Sequence, residues 1–109
     1  MTQEGFSRQA TKVGDVHVAV LRGELDLDTA EGLSDWLVEM ASSPVVVDMS
    51  ELSFMDSSGI TALVIAKNRL AANGDDLILA RPHPFIKRVL ETVGMADWVT
   101  DWDPKWDAV

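Results

Sequence analysis

The chain has 109 residues, 47% hydrophobic and 25% charged, the make-up of one globular domain rather than a disordered segment. Eighteen acidic against nine basic residues leave a formal net charge of −9, which argues against nucleic acid or an anionic membrane surface as partner, because both need cationic patches. Cysteine is absent, so disulfide frameworks, thiol catalysis and thiolate metal sites are excluded, in keeping with a reducing cytoplasm.

Residues 1–10 are polar and lack the apolar core of a secretory signal. The longest apolar stretch, residues 61–66, is far below the ~20 residues that cross a bilayer. Residues 5–12 read as a weak first strand ending at the turn Val13-Gly14-Asp15. Val16, Val18 and Val20 then alternate with His17, Ala19 and Leu21, a period of two that predicts a strand with the valines facing a core. Gly23 is expected to end it, with a loop over 23–28.

Asp28 reads as an N-cap with Glu31 three residues on, and Ala30, Leu33, Leu37 and Met40 form a stripe, predicting a helix over 29–41. Val45-Val46-Val47 suits a strand covered on both faces, passing into a loop at Asp48-Met49-Ser50. Ile60, Leu63, Val64, Leu70 and Ala71 mark a second helix over 58–72, stopped by Asn73-Gly74-Asp75. Leu77-Ile78-Leu79 is a further buried strand. Pro84 suits the first turn of a third helix, whose core stripe reads Phe85, Ile86, Val89, Leu90 and Val93, with Gly94 as terminator. Trp98-Val99-Thr100 adds a short edge strand. Strands alternating with helices imply crossovers and a central, mostly parallel, mixed sheet packed with helices. The chain therefore reads as a single α/β domain, with a core over about 8–100 and a short tail at 101–109.

The informative segment runs from Asp48 to Ile60. A buried strand ends, a loop follows, and the hydroxyls of Ser57 and Ser58 land on the first turn of a helix. Backbone N–H groups there lack intrahelical partners and the helix dipole is positive, so an added anion would be tolerated. Gly59 is expected to leave that turn uncrowded, and Phe54 and Met55 to pack the loop down. From the residues alone, Asp56-Ser57-Ser58 can equally be a plain N-cap cluster.

Asp48-Met49-Ser50 through Phe54-Met55-Asp56-Ser57-Ser58-Gly59 resembles the signature of the STAS domain, in the branch of bacterial anti-sigma factor antagonists. Gly23-Glu24-Leu25-Asp26, followed by Thr29-Ala30 and Leu33, resembles that family's loop and helix start. The resemblance implies a phosphorylation-switched binding module with no catalytic activity, metal or cofactor of its own. Ser57 maps to the phosphate acceptor. Asp26 maps to the acidic loop residue beside it, and Ser58 to the neighbouring serine that is not the usual acceptor. The implied partner is an anti-sigma factor that is itself a serine kinase with bound ATP. The unphosphorylated antagonist sequesters it and frees a sigma factor for transcription, and a serine phosphatase resets the system. The partner surface is expected to combine Glu24, Asp26 and Asp28 with Asp56, Ser57, Ser58, Gly59 and Thr61. An alternative is a STAS subunit of a larger sensory or lipid-transport assembly without regulated phosphorylation. Two departures stand out. Thr61 replaces a small residue in the family's helix start, and Pro104 interrupts the tail, so the family's C-terminal helix is expected to be absent or very short.

Other chemistries find little support. A nucleophilic Ser57 needs an adjacent base, but His17 falls in a strand and His83 in a proline-flanked connector, and the Gly-x-Ser-x-Gly elbow is missing. Asp26 and Asp28 lack the rest of a calcium loop, and phosphate-binding glycine motifs are absent. Trp98, Trp102 and Trp106 recur every four residues and are expected to cover the edge of the core. Arg81, Lys87 and Arg88 read as the solvated face of the third helix, and Lys67 and Arg69 as that of the second.

Overall fold

Alternating β-branched residues around a tight turn make the first two elements a hairpin. In the computed structural model, which describes residues 5–14, 16–40 and 44–100, β1 (Phe6–Val13) pairs antiparallel with β2 (Val16–Leu25), and Val13 stands opposite Val16. The remaining elements are α1 (Leu33–Glu39), β3 (Val45–Met55), α2 (Ser57–Ala72), β4 (Leu77–Ala80), α3 (Pro84–Thr92), a 3₁₀ turn (Ala96–Trp98) and β5 (Val99–Thr100). The sheet order is β1-β2-β3-β4-β5, parallel from β2 onward. This is the mixed, mostly parallel α/β sheet expected from the element order.

Right-handed crossovers between sequential neighbours place every helix on the same face of the sheet. There Ala19, Leu21, Val45, Val47, Met49, Leu77 and Leu79 meet Leu33 and Leu37 of α1, Leu63, Ala66 and Leu70 of α2, and Ile86 and Leu90 of α3. Each fully buried leucine among them is worth about 1.5–3 kcal/mol. The valine phase of β2 faces the other way. Val18 and Val20 join Val46 and Ala80 in a smaller cluster on the opposite face. The predicted period was right, but the larger core takes the Ala19–Leu21 phase.

Two strands run further than expected. β2 continues through Gly23 to Leu25, because register shifts at 20–22 and 23–24 let it keep pairing with β3. Gly23 has a φ of 94°, and a Cβ there would lie 1.4 Å from the Gly5 carbonyl oxygen. It marks a close backbone approach, not a strand end. β3 likewise passes through the expected loop to Met55, burying Met49, Leu52 and Met55. Beyond Asp48, β3 pairs with β2 while β4 has ended.

The helix stripes are narrower than the apolar residues suggested. In α2 the buried positions are Gly59, Ala62, Leu63, Ala66 and Leu70, and Ile60 and Val64 are half-buried. In α3 Ile86 and Leu90 are buried, whereas Phe85 and Val93 are exposed. Phe54 is also exposed; Met55 does the packing. Arg81 is not on a solvated helix face. It sits after β4 with a φ of 56° and reaches the buried Asp48 carboxylate at 3.1 Å. Lys67 donates to Asp76 (2.7 Å) and to the Leu77 carbonyl (3.0 Å) and lies over the Trp98 ring. Arg69 pairs with Asp35. Trp102, Trp106 and Pro104, and the expectations attached to them, lie outside the described residues. No described helix is long and apolar enough to cross a membrane.

Candidate functional site

Parallel pairing of β2 with β3 carries both strands to the same end of the sheet, where Leu25 stands opposite Met55. The residues that follow each strand therefore become neighbours. The Asp56 N–H donates to the Leu25 carbonyl oxygen at 3.2 Å, tying the start of α2 to the end of β2. Glu24, Asp26 and Asp28 are thus gathered beside Asp56, Ser57 and Ser58.

Asp56 is the N-cap expected of its side chain. Its backbone is extended (φ −109°, ψ −170°), and its carboxylate accepts from the Ser58 N–H at 2.9 Å and the Gly59 N–H at 3.4 Å. The first helical bond runs from the Ile60 N–H to the Asp56 carbonyl oxygen. Ser57 opens α2 and is exposed, Ser58 is half-buried, and Thr61 is exposed one turn on. Gly59 is buried. A Cβ there would come within 2.8 Å of Leu25 and Met55 side-chain carbons. The glycine is required by inward packing of the helix start against the strand ends, and it offers no surface to a partner.

The 23–28 segment differs from the expected helix entry. Asp28 does not cap α1; the N-cap is Gly32, at a φ of 77° and without a side-chain cap. Residues 27–32 are turns, organised by Asp26 and Thr29. Asp26 Oδ1 accepts from the N–H groups of Asp28 and Thr29, each at 3.1 Å. The Thr29 hydroxyl accepts from the Asp26 N–H at 2.8 Å and shares its proton between the Glu24 carbonyl oxygen at 2.8 Å and Asp26 Oδ1 at 3.1 Å. The Thr29 N–H is the main cause holding the Asp26 carboxyl below its ordinary pKa, with the Thr29 hydroxyl and the Asp28 N–H helping against partial desolvation. Asp26 is therefore ionised and committed to shaping its own turn, while Glu24 and Asp28 are exposed.

Between this turn and α2 lies an open groove of about 520 Å³. Ser57, Ser58 and Thr61 line one side, and Asp28, Glu31 and Ser34 the other. Leu27 and Ile65, both exposed, flank it. No histidine lines this groove. His17 pairs in register with Lys12 and Val45, at the opposite end of β2. Among the described residues no cluster of His, Asp or Glu is arranged to hold a metal ion. The arrangement presents a neutral hydroxyl on a rigid, capped helix start, surrounded by carboxylates.

Residues 7–106 match the sequence pattern of the STAS domain. The chain belongs to the STAS domain family. The match also reaches past residue 100, into the segment read from sequence as a tail. An anti-sigma F factor antagonist of Lysinibacillus sphaericus is 29% identical over 85 residues, which cover 74% of this chain and 73% of that protein. The structure of the anti-sigma factor antagonist SpoIIAA in its unphosphorylated form superposes with a TM-score of 0.80 at 27% identity, covering 92% of this chain and 91% of that one. The Bacillus cell fate determinant SpoIIAA in its phosphorylated form gives 0.72 at 27% identity, covering 92% and 95%.

The capped helix start at Asp56–Gly59 and the acidic segment after β2 stand together, as their motifs led one to expect. Motif reading missed Thr29 as the residue that holds the loop together, and it missed Leu27 and Ile65. Leu27 had a signal: it is the lone apolar residue between two aspartates. Ile65 had one too, since it falls outside the stripe of Ile60, Leu63, Val64 and Leu70.

Proposed function

We propose that this STAS domain is an anti-sigma factor antagonist whose partner binding is switched by phosphorylation of Ser57. The observation that carries the reading is the exposed Ser57 hydroxyl on a turn capped by Asp56, in a chain similar to an antagonist known in unphosphorylated and phosphorylated forms. The partner is an anti-sigma factor that acts as a serine kinase and brings its own ATP. Unphosphorylated protein binds it and releases the sigma factor, in the bacterial cytoplasm. Phosphorylated protein lets go, and a serine phosphatase restores the hydroxyl. Glu24, Asp28, Ser57, Ser58 and Thr61 form the contact surface, Asp56 and Asp26 set its shape, and the domain performs no catalysis.

Charge explains the switch. A phosphate adds about −1.5 to −2 charges. To receive phosphate, the hydroxyl has to face the kinase's nucleotide, so the phosphoserine afterwards faces an anion. One like-charge contact at about 4 Å costs about 4 kcal/mol at an effective dielectric constant of about 20, which is about a thousandfold in affinity. Since Ser57 lies outside the core, no change of fold is needed.

The test is co-purification of the partner kinase, incubation with ATP, and location of the phosphate by mass spectrometry. Phosphate on Ser57 is expected. Ser57→Ala should bind constitutively, and Ser57→Asp weakly. Phosphate on Ser58 alone, or on neither serine, refutes the acceptor assignment. Equal partner retention by Ser57→Ala and Ser57→Asp refutes the charge argument and leaves a docking subunit of a larger assembly.

A further inference from the structure

Single exposed apolar residues are ordinary on protein surfaces. Leu27 and Ile65 are not scattered singly. Leu27 is 74% exposed and Ile65 43% exposed, and they flank the same groove that Ser57 lines. Neither is needed by the core beneath, which is closed by Leu25, Leu33 and Leu63, all fully buried. The groove's charged lining is wholly acidic, with Asp28 and Glu31 and no cation. Nearby cations are engaged elsewhere: Arg8, beside Gly32, lies over the Trp36 ring, Arg69 pairs with Asp35, and Arg22 with Glu51. Glu31 makes no ion pair among the described residues.

We infer that the groove between the 27–32 turn and the start of α2 is a docking cleft for an apolar side chain of the partner kinase, flanked on that partner by an arginine or lysine. This rests on the Ser57 reading above and specifies its partner's chemistry. The apolar side chain sits between Leu27 and Ile65, where water is displaced from both. The cation lies over Asp28 and Glu31, on the side away from α2, and the nucleotide lies over Ser57 at the helix start. The two sides of the groove thus separate recognition from transfer. Apolar contact supplies affinity, and the carboxylates set orientation and attraction of the approaching cation. The groove is continuous with the acceptor, so an occupant of this chemistry brings its neighbouring surface onto the hydroxyl. A second copy of this chain fits poorly, because it would set Asp28 and Glu31 against an equally acidic rim.

The probe is the kinase shown to phosphorylate wild-type Ser57. Its affinity for unphosphorylated variants is measured by calorimetry, and phosphorylation rate against substrate concentration by phosphate incorporation. Leu27→Ala and Ile65→Ala are expected to weaken binding at least tenfold and to raise KM with little change in kcat. Glu31→Gln should weaken binding severalfold at low salt, with the difference vanishing at high salt. Phe85→Ala, an exposed apolar residue on α3, serves as control and should bind as wild type. Thermal melts of all variants should stay close to wild type, since every substituted side chain is exposed. Wild-type phosphorylation together with undiminished binding by Leu27→Ala and Ile65→Ala overturns the docking cleft and leaves the switch standing. So does a change in oligomeric state confined to those variants, which would assign the groove to a second copy. A wild type that is neither bound nor phosphorylated by any candidate kinase refutes the switch, and the cleft with it.

Discussion

Replacing Asp56 by alanine separates two roles of that carboxylate. Its bond to the Ser58 N–H is 2.9 Å and well within hydrogen-bonding range, whereas that to the Gly59 N–H, at 3.4 Å, is weak. One good cap bond lost costs about 1 kcal/mol. A domain of 109 residues unfolds with an entropy of about 0.23 kcal/mol/K at about 2.1 cal/mol/K per residue, so Tm should fall by about 4 °C. The tie from the Asp56 N–H to the Leu25 carbonyl is backbone and survives the substitution. The damage should therefore stay within the first turn of α2. Asp56→Asn keeps the accepting oxygen, so its Tm should lie within about 1 °C of wild type. Circular dichroism melts give the two Tm values, and amide exchange should show Ser58 losing protection in the alanine variant alone. Were Asp56→Asn to melt as low as Asp56→Ala, charge rather than capping would be the stabilising property. An alanine variant that melts like wild type would mean that the cap contributes nothing.

Thr29→Val removes the hydroxyl's bonds to Glu24 and Asp26 in the acidic turn while keeping its shape; it should cost about 1–2 kcal/mol in urea unfolding and weaken partner binding, whereas Thr29→Ser should retain both properties. Arg81→Met strands the buried Asp48 carboxylate with its Ser50 donors, and a loss of about 3 kcal/mol in the unfolding free energy from denaturant titration is expected; a change under about 1 kcal/mol would show the pair to be idle. That penalty should shrink in acid. Burial alone would raise the Asp48 pKa, but the Ser50 N–H and hydroxyl and Arg81 outweigh it and hold the carboxyl below its ordinary value. Asp76 is likewise held down, chiefly by Lys67 and then by the Leu77 N–H. A carboxyl with a depressed folded pKa stabilises the protein above its unfolded value of about 4 and loses that stabilisation as pH falls through the folded one. Asp76→Asn should therefore be less stable than wild type at pH 7, and the gap should close in acid; a gap that widens on acidification would reverse the sign of the argument.

Much of the architecture was legible because apolar runs and punctuation agreed. Val45–Val47 and Leu77–Leu79 announced central strands, and Asp56 with Asn73-Gly74 bracketed α2 almost to the residue. The failures share a cause. Strand ends at 23 and 48 were misplaced because β-bulges break the period-two signal, and a glycine wedged against another backbone looks in sequence like a glycine that terminates. The capping-box pattern at Asp28 and Glu31 was a decoy, because Asp26 Oδ1 already takes the Asp28 N–H that the box would give to Glu31, and the turns it shapes with Thr29 postpone the helix to Leu33. At the site, hydroxyls and carboxylates could be read from their spacing. Whether Gly59 pointed outward or inward could not, since that depends on Leu25 and Met55 converging from two different strands.

The overrun of β3 past its last rung with β4 has one further result. From Asp48, the final residue paired with β4, to Met55 is seven steps, at most about 23 Å of chain at about 3.3 Å per residue. Over this stretch β1 still flanks β2 as far as Gly23, opposite Leu52, and only the last rungs, Glu24 with Phe54 and Leu25 with Met55, are β2 and β3 alone, so the hydroxyl-bearing turn stands at the end of the sheet beyond β4. Under the proposed switch, a kinase and a phosphatase of different outline would reach that one oxygen atom without the domain having to open.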